Sequence, residues 1–397
     1  MSQFDNYWRA QLEQRAGDGL LRQRPLLGSK QGVQVVINGD PILSFASNDY
    51  LGFAGDARIA KAAAVAAETH GVGGGASHLV VGHHIEHQRL EDELAAFTGR
   101  QKALVFSSGY MANLAVVSTL VGAGDGVFED KLNHASLIDG GLLSGARFQR
   151  YLHNDAVSLQ SHVDRFSKRN PDTSSRKLVV TDGVFSMDGD IADLASLSTV
   201  CNTERAVLAV DDAHGLGVVG RQGRGTLDLL NMSEEHVPVL VGTFGKAFGT
   251  AGAFVAGSAA MIDYLEQFAR PYIYTTSMPP MLAAATRRSL KLIQEADDRR
   301  ERLNRNIEYF RDGADSLSLK LMASNTAIQP IMIGESASAM SVSSCLKEQG
   351  ILVGAIRPPT VPKNTARLRI TLSSEHSIEM LDRLFDGLAI AKQENYL

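Results

Sequence analysis

The chain has 397 residues, 44% of them hydrophobic and 21% charged, and a formal net charge of −5 at pH 7. This composition is typical of a soluble globular protein with two domains, and it gives no reason to expect nucleic acid or a membrane as a partner. Two cysteines exclude a disulfide framework, and the N-terminal segment has no apolar core of the signal-peptide type, so we expect a cytoplasmic protein.

The first clear element is a helix in HQRLEDELAAFTG, where Leu90, Leu94 and Phe97 share one face. From about residue 100 to 260, short apolar runs alternate with helical patterns. Continuous Val/Leu runs favour parallel strands that are covered on both faces, and therefore the α/β class. Three such runs predict buried strands: KLVVTD near 177–182, AVLAVDD near 206–212 and VPVLVGT near 237–243.

The last third of the chain predicts a smaller α+β domain. A long, charged helical stretch over 279–317 is followed by a strand, a helix that ends at Gly350, two more strands and a final helix. That final helix carries one apolar stripe. We predict three segments: an N-terminal segment 1–48, a large domain 49–279 and a C-terminal small domain 280–397.

Two glycine-rich stretches resemble nucleotide-binding motifs and fail in context. GLGVVG (215–220) matches G-x-G-x-x-G but follows DDAH and not directly a strand, and no helical pattern opens there. GTFGKAFG has two residues between Gly242 and Gly245, and Ala247 stands where a P-loop needs a hydroxyl. Both nicotinamide binding and nucleotide hydrolysis are therefore disfavoured.

The histidine-rich stretch HHIEH contains His83, His84 and His87. His83 and His87 are one helical turn apart, which would suit a metal, but no H-E-x-x-H is present and an amphipathic helix follows. We interpret these side chains as surface or capping histidines and predict no metal site.

Polar side chains follow the three predicted strands. Ser186 comes after the first, Asp211 and His214 after the second, and Thr243 and Lys246 after the third. In an open parallel sheet, ligands bind beyond the carboxyl ends of the strands. A pyridoxal phosphate site needs three kinds of group. A reactive lysine forms an imine with the aldehyde, a carboxylate opposite it keeps the pyridine nitrogen protonated, and nearby hydrogen-bond donors control the phenolate oxygen.

A phosphate site is predicted at FSSGYMAN (106–113), where a short apolar run gives way to a helix. Backbone amides of Gly109 and Tyr110 at that helix N-terminus would favour a dianion. An ordinary strand-to-helix turn is the alternative. His134, in DKLNHASLIDG, lies either over the cofactor ring or at a helix cap.

Taken together, these stretches resemble the α-oxoamine synthase family of pyridoxal phosphate enzymes. The resemblance covers nearly the whole chain, through the motifs FASNDYLGF, GGGASH, SSGYMAN, DKLNHASL, TDGVFSMDGD, VDDAHGLGVVGRQGRG, GTFGKAFG, YTTSMPP and AIRPPTVPKNTARLRITL. It implies fold type I, the aspartate-aminotransferase architecture, in a homodimer with active sites at the subunit interface.

The resemblance also implies roles at the cofactor. Lys246 would be the Schiff-base lysine, Asp211 the partner of the pyridine nitrogen and His134 the stacking residue; these three would be catalytic. His214 and Ser186 would approach the phenolate oxygen. The implied phosphate ligands are Gly109, Tyr110, Thr243 and, from the partner subunit, Thr275 or Thr276.

On the substrate side, the resemblance implies that Arg357 binds the amino-acid carboxylate. Either Arg22 or Arg24 would meet the acyl substrate, while Ser77 and His78 fall at a substrate-side turn whose role stays open. AIRPPTVP (355–362) is most similar to the biotin-pathway branch, which joins L-alanine to a pimeloyl thioester. Members that use glycine or serine are the alternative, and both coenzyme A and an acyl carrier protein remain possible carriers of the acyl group.

A non-catalytic protein with the same fold is the remaining rival. Such a protein needs neither an electron sink nor a carboxylate clamp, and the chain keeps Lys246, Asp211 and Arg357 together. The sequence therefore favours an enzyme.

Overall fold

The computed structural model describes residues 2–170 and 174–397. Within those ranges the strands form three sheets. The strands are β1 (Gln34–Ile37), β2 (Asp40–Ser44), β3 (Lys102–Phe106), β4 (Gly126–Asp130), β5 (Arg147–Tyr151), β6 (Lys177–Asp182), β7 (Val207–Asp211), β8 (Val239–Thr243), β9 (Ala253–Gly257), β10 (Ile328–Gly334), β11 (Ile351–Leu352), β12 (Gly354–Ile356) and β13 (Ala366–Thr371).

The helices alternate with the strands through the middle of the chain. They are α1 (Gln3–Gly17), α2 (Ala57–His70), α3 (Ile85–Thr98), α4 (Gly109–Leu120), α5 (Ala135–Leu143), α6 (Ala156–Arg169), α7 (Leu194–Glu204), α8 (Thr226–Leu229), α9 (Ala259–Phe268), α10 (Arg270–Ile273), α11 (Pro280–Gln294), α12 (Asp297–Ser316), α13 (Ser336–Glu348) and α14 (Ile378–Gln393), with a π-helix at His78–Gly82 and a 3-10 turn at Arg221–Gly223. No described helix is both long enough and apolar enough to cross a bilayer.

The largest sheet has seven strands in the order β3-β9-β8-β7-β6-β4-β5. β5, β4, β6, β7 and β8 run parallel, whereas β9 is antiparallel to both of its neighbours. All three predicted strands are present, and their Val and Leu side chains are buried on both faces except for Val207 at the start of β7, which is 40% exposed. The prediction of a mostly parallel α/β sheet is confirmed.

The register of this sheet brings the predicted site residues to one edge. β6, β7 and β8 are adjacent, and Asp182 at the end of β6 pairs with Asp211 at the end of β7. Asp211 in turn lies opposite Val241, two residues before β8 ends. The segments that follow these strands therefore leave the sheet side by side.

The C-terminal part of the chain contains the antiparallel sheet β10-β13-β12, which α13 contacts, while α14 packs against α13 and α12. On α14, Leu381, Leu384 and Leu388 are fully buried, while Ile378 at the helix start is 41% exposed. The run ILVGAI, predicted as one strand, divides in two. β11 pairs with β2 of the N-terminal segment and β12 pairs with β13. The division into three segments remains a proposal.

The predicted helical stretch 279–317 is likewise two helices. The backbone leaves helical geometry at Ala296, and Asp297 and Asp298 then supply negative charge to the first turn of α12. α11 packs against α2 and α3 of the large domain. The apolar face of α11, with Leu290 and Ile293 buried, belongs to one core cluster that also contains buried leucines of α3 and α14.

Candidate active site

A cavity of ≈400 Å³ lies beyond the carboxyl ends of β6, β7 and β8. It brings together eight of the residues that were predicted from the sequence: Gly109, Tyr110, His134, Ser186, Asp211, His214, Thr243 and Lys246.

Asp211 ends β7 and is held from two sides. Its Oδ1 accepts a hydrogen bond from the backbone N–H of Ala213 at 3.0 Å, and its Oδ2 accepts one from Asn113 Nδ2 at 2.6 Å. The carboxylate is only 5% exposed. Asp211 is thus a fixed acceptor at the floor of the cavity, suited to hold a proton on a ring nitrogen.

Lys246 follows β8 in a glycine-containing turn and is partly buried. Burial lowers the pKa of its amine, while the nearby carboxylates of Asp211 and Asp182 act in the opposite direction. A lowered pKa raises the fraction of neutral amine, which is the form that attacks a carbonyl. The environment therefore fits a nucleophilic lysine.

His134 is the N-cap residue of α5. Its backbone N–H donates to Asp182 Oδ2 at 2.9 Å, and its Nδ1 lies 2.7 Å from Ser136 Oγ. Burial lowers the pKa of the imidazole below its usual value, which favours the neutral ring. The capping and stacking interpretations are compatible, since capping uses Nδ1 and leaves the ring face to the cavity it lines.

His214 is fixed by a residue from a distant part of the chain. Its Nδ1 lies 2.6 Å from the hydroxyl of Tyr50, which is itself buried. Burial and the positive charge of Lys246 lower the pKa of His214 well below its usual value. A neutral imidazole of this kind suits a hydrogen bond to an anionic oxygen.

The loop after β6 that carries Ser186 is tied to its surroundings at two points. Arg369 Nε of β13 donates to the backbone oxygen of Ser186 at 2.6 Å, and the Arg367 guanidinium pairs with Asp188. Both arginines are almost fully buried. The small domain thereby holds this loop against the cavity.

His153 braces the same loop from the other side. Its Nδ1 lies 3.0 Å from Asp130 Oδ1 and its Nε2 lies 3.0 Å from Asp190 Oδ2. Burial alone would lower the pKa of this imidazole, but the two carboxylates outweigh it and raise the pKa to about 10.

The predicted phosphate position has the features of an anion cradle. Ser108 caps α4 by accepting from the Met111 N–H, which leaves the N–H groups of Gly109 and Tyr110 without a hydrogen bond among the described residues. A Cβ on Gly109 would lie 2.5 Å from Thr243 Cγ2, and Thr243 Oγ1 is buried without a partner. An orphaned hydroxyl beside free amides at a helix N-terminus fits a phosphate.

A second hollow of ≈650 Å³ adjoins the cavity and shares Asn48, Gly245 and Thr250 with it. Leu27 and Leu352 are among its lining residues. The N-terminal segment and β11 therefore form a wall next to the site.

Five predicted residues lie outside the cavity lining. Thr275 and Thr276 lie in the segment between α10 and α11, and Ser77 precedes the π-helix. Arg22 is exposed, and Arg357, just after β12, donates to the backbone oxygen of Gly19. The last contact brings the segment that carries Arg22 close to Arg357. The roles of all five remain proposals.

The histidine-rich stretch forms a cap, as one of the two sequence interpretations had it. His84 is the N-cap of α3, and its N–H donates to His87 Nδ1 at 2.9 Å. His87 is fully buried and not at the surface, and its Nε2 donates a hydrogen bond to the Met278 carbonyl at 2.8 Å. Although His78, His83 and His87 lie close together, His87 has no lone pair left for a metal.

Several residues at the site were not predicted, among them Tyr50, Asn113, Ser136 and Asp182. Asn113 is buried on α4 and Asp182 is buried at the end of β6. Asp182 carried a usable signal, since it ends a predicted strand as Asp211 does. Asn113 and Tyr50 act through partners 98 and 164 residues away, a separation that motif spacing does not reveal.

Comparison with known proteins gives a consistent result. The family model described as aminotransferase class I and II matches residues 40–388. An 8-amino-7-oxononanoate synthase from Stutzerimonas stutzeri (strain A1501) is 57% identical over 380 residues, which are 96% of this chain and 95% of the relative.

Two solved structures show the same architecture. A serine palmitoyltransferase from S. paucimobilis, with a bound adduct of PLP and myriocin, has a TM-score of 0.92 at 29% identity and covers 99% of both chains. An 8-amino-7-oxononanoate synthase from Francisella tularensis has a TM-score of 0.77 at 33% identity and covers 90% of this chain and 99% of its own. These likenesses confirm the fold type I architecture and the resemblance to α-oxoamine synthases. The chain belongs to the aminotransferase class I and II family.

Proposed function

We propose that this chain is a pyridoxal-phosphate-dependent acyltransferase that condenses L-alanine with a pimeloyl thioester, releases CO₂ and forms 8-amino-7-oxononanoate for biotin synthesis. The carrying observation is the single cavity that joins Lys246, Asp211 and His134 to an anion cradle. Sequence supports the choice within the family, because the relatives at 55–57% identity bear this activity in their names.

Pyridoxal phosphate, when bound, supplies an aldehyde that takes up an amine and an aromatic ring that withdraws electrons. Gly109, Tyr110 and Thr243 would hold its phosphate, and Lys246 its aldehyde carbon. Asp211 would keep the ring nitrogen protonated, which strengthens the withdrawal of electrons.

Within that site, the chain's own residues have separate tasks. His214 and Ser186 would contact the phenolate oxygen, and His134 would cover one face of the ring. The amine of Lys246 would remove the Cα proton of L-alanine. Arg357 would bind the carboxylate of L-alanine through a bidentate pair.

We propose the hollow beside the cavity as the site of the acyl chain. It is continuous with the cavity through Asn48, and apolar side chains such as Leu27 and Leu352 line it. Arg22 or Arg24, in the adjoining N-terminal segment, would then meet the polar end of the acyl substrate. Both coenzyme A and an acyl carrier protein remain candidate carriers.

The enzyme is further proposed to be a cytoplasmic homodimer with active sites at the interface. Leu79, Val80 and Val81 of the π-helix segment are 44%, 72% and 81% exposed, which is unusual for three consecutive apolar residues. A second copy that covers this surface would also bring Ser77, and Thr275 or Thr276, to the partner's cavity.

Product formation tests the proposal. The purified chain is incubated with pyridoxal phosphate, L-alanine and either pimeloyl-coenzyme A or the pimeloyl acyl carrier protein, and 8-amino-7-oxononanoate is measured by mass spectrometry. Glycine and serine serve as matched co-substrates. A clear preference for serine with a long-chain acyl thioester would replace the proposal with the serine palmitoyltransferase activity named for the structural neighbour.

A further inference from the structure

His134 and Asp211 both line the cavity, and a continuous chain of hydrogen bonds joins them. Asn113 Nδ2 lies 2.6 Å from Asp211 Oδ2 and 2.9 Å from Ser136 Oγ. Ser136 Oγ lies 2.7 Å from His134 Nδ1. Asn113 and Ser136 are 1% and 0% exposed, so the two linking side chains are shielded from bulk solvent.

Asp211 determines which atom is the donor in each of these hydrogen bonds. An ionised carboxylate only accepts hydrogen bonds, so the amide nitrogen of Asn113 has to face it. The second N–H of that nitrogen donates to Ser136 Oγ, and the Ser136 hydroxyl proton is then directed at His134 Nδ1. The opposite orientation would place the amide oxygen against the carboxylate and leave the amide nitrogen in the unpartnered position that Asn113 Oδ1 occupies.

The His134 end requires the same direction independently. The backbone N–H of Ser136 also points at His134 Nδ1, at 3.3 Å, and a backbone N–H can only donate. Nδ1 must therefore carry the lone pair. In a neutral imidazole the ring proton is then on Nε2, an atom that makes no hydrogen bond among the residues the structure describes.

We propose that Asn113 and Ser136 are positioning residues that hold His134 as the neutral Nε2–H tautomer. A neutral ring would place no positive charge beside a cofactor whose ring nitrogen Asp211 would keep protonated. It also leaves one N–H donor free toward the cavity. Only this consequence at the cofactor rests on the proposed function, because the tautomer is a property of the chain itself.

Nitrogen NMR of the full-length chain labelled at histidine nitrogens tests the proposal, with a His134→Gln sample to assign the signal. Protonated and unprotonated ring nitrogens have well-separated shifts. The expected result is an unprotonated Nδ1 and a protonated Nε2 in the wild type, with and without pyridoxal phosphate. A proton on Nδ1 would overturn the proposal. A chain that shows the expected tautomer but takes up no pyridoxal phosphate would refute the proposed function alone.

Ser136→Ala supplies the second measurement. The hydroxyl stabilises only the unprotonated Nδ1, so its loss should move the His134 titration midpoint up by about one pH unit. Ser118→Ala is the matched control, since that hydroxyl donates to the Leu114 carbonyl of its own helix. A midpoint that is the same in both variants would overturn the proposal. The charged groups that face His134 are unchanged in both: Asp211, Lys246, Asp139 and, at its backbone N–H, Asp182.

Discussion

Replacement of His153 by glutamine should destabilise the fold in a way that depends on pH. Both ring nitrogens of His153 lie 3.0 Å from a carboxylate oxygen, and a neutral imidazole has only one N–H to offer. The ring is therefore an imidazolium between Asp130 and Asp190. Its side chain is 28% exposed and that of Asp130 is 0% exposed, so solvent screens the interaction only in part.

The size of the effect follows from the two protonation equilibria. The pKa of His153 is raised to about 10 in the folded chain, against a reference value of 6.5. A raised folded pKa contributes stability that is complete below the unfolded pKa and is lost as pH rises through the folded one. Integration gives a contribution to the free energy of unfolding of about 4 kcal/mol at pH 7 and about 1 kcal/mol at pH 9.

Urea unfolding at pH 6, 7 and 9, followed by circular dichroism, measures this contribution. The gap in unfolding free energy between wild type and His153→Gln should be largest at pH 6 and shrink to a small remainder at pH 9. His162→Gln is the matched control, because His162 on α6 lies 3.3 Å from the neutral Gln149 side chain, and burial with the nearby Arg165 and Lys131 lowers its pKa instead of raising it. An equal difference in unfolding free energy at all three pH values would refute the ion pairs of a charged His153 with Asp130 and Asp190.

Three further predictions concern the site. Lys246→Ala should abolish product formation and remove the borohydride-fixed cofactor adduct, which peptide mass spectrometry detects. Gly109→Ala should weaken pyridoxal phosphate binding about tenfold or more in a fluorescence titration, because the added Cβ would lie 2.5 Å from Thr243 Cγ2. Arg357→Lys should raise the KM for L-alanine about tenfold with a smaller change in kcat, since an ammonium cannot form the bidentate pair, and steady-state kinetics separates the two.

Each of these three predictions has a result that would contradict it. An adduct mapped to another lysine in Lys246→Ala would move the nucleophile elsewhere. Gly73→Ala is the control for the cradle, because a Cβ there meets no atom within 4 Å, and equal affinities of the two alanine variants would exclude a phosphate at Gly109. An unchanged KM in Arg357→Lys would remove the guanidinium from substrate recognition.

The features that sequence predicts well here are those with local causes. Continuous Val and Leu runs specified the strands β6, β7 and β8, and the residue that follows each strand was predicted to face a common crevice. The division of ILVGAI was missed because it depends on a tertiary partner. β11 leaves the path of β12 only because β2, more than 300 residues earlier in the chain, pairs with Ile351.

Side chains that act through others were the hardest to predict. Asn113 reads as one more polar residue in an apolar helix, and nothing in its neighbourhood points to a carboxylate 98 residues later. The buried position of His87 was missed for the same reason, since its acceptor at Met278 is 191 residues away. Such partners become visible only when the sheet has placed distant segments next to each other.

The two arginines of β13 connect the antiparallel sheet to the loop that carries Ser186. Arg369 donates a hydrogen bond to the backbone oxygen of Ser186, and Arg367 pairs with Asp188. The neighbouring strand β12 ends one residue before Arg357. The Ser186 loop and Arg357 are thus attached to the same antiparallel sheet. A displacement of that sheet would therefore move the Ser186 backbone and Arg357 together.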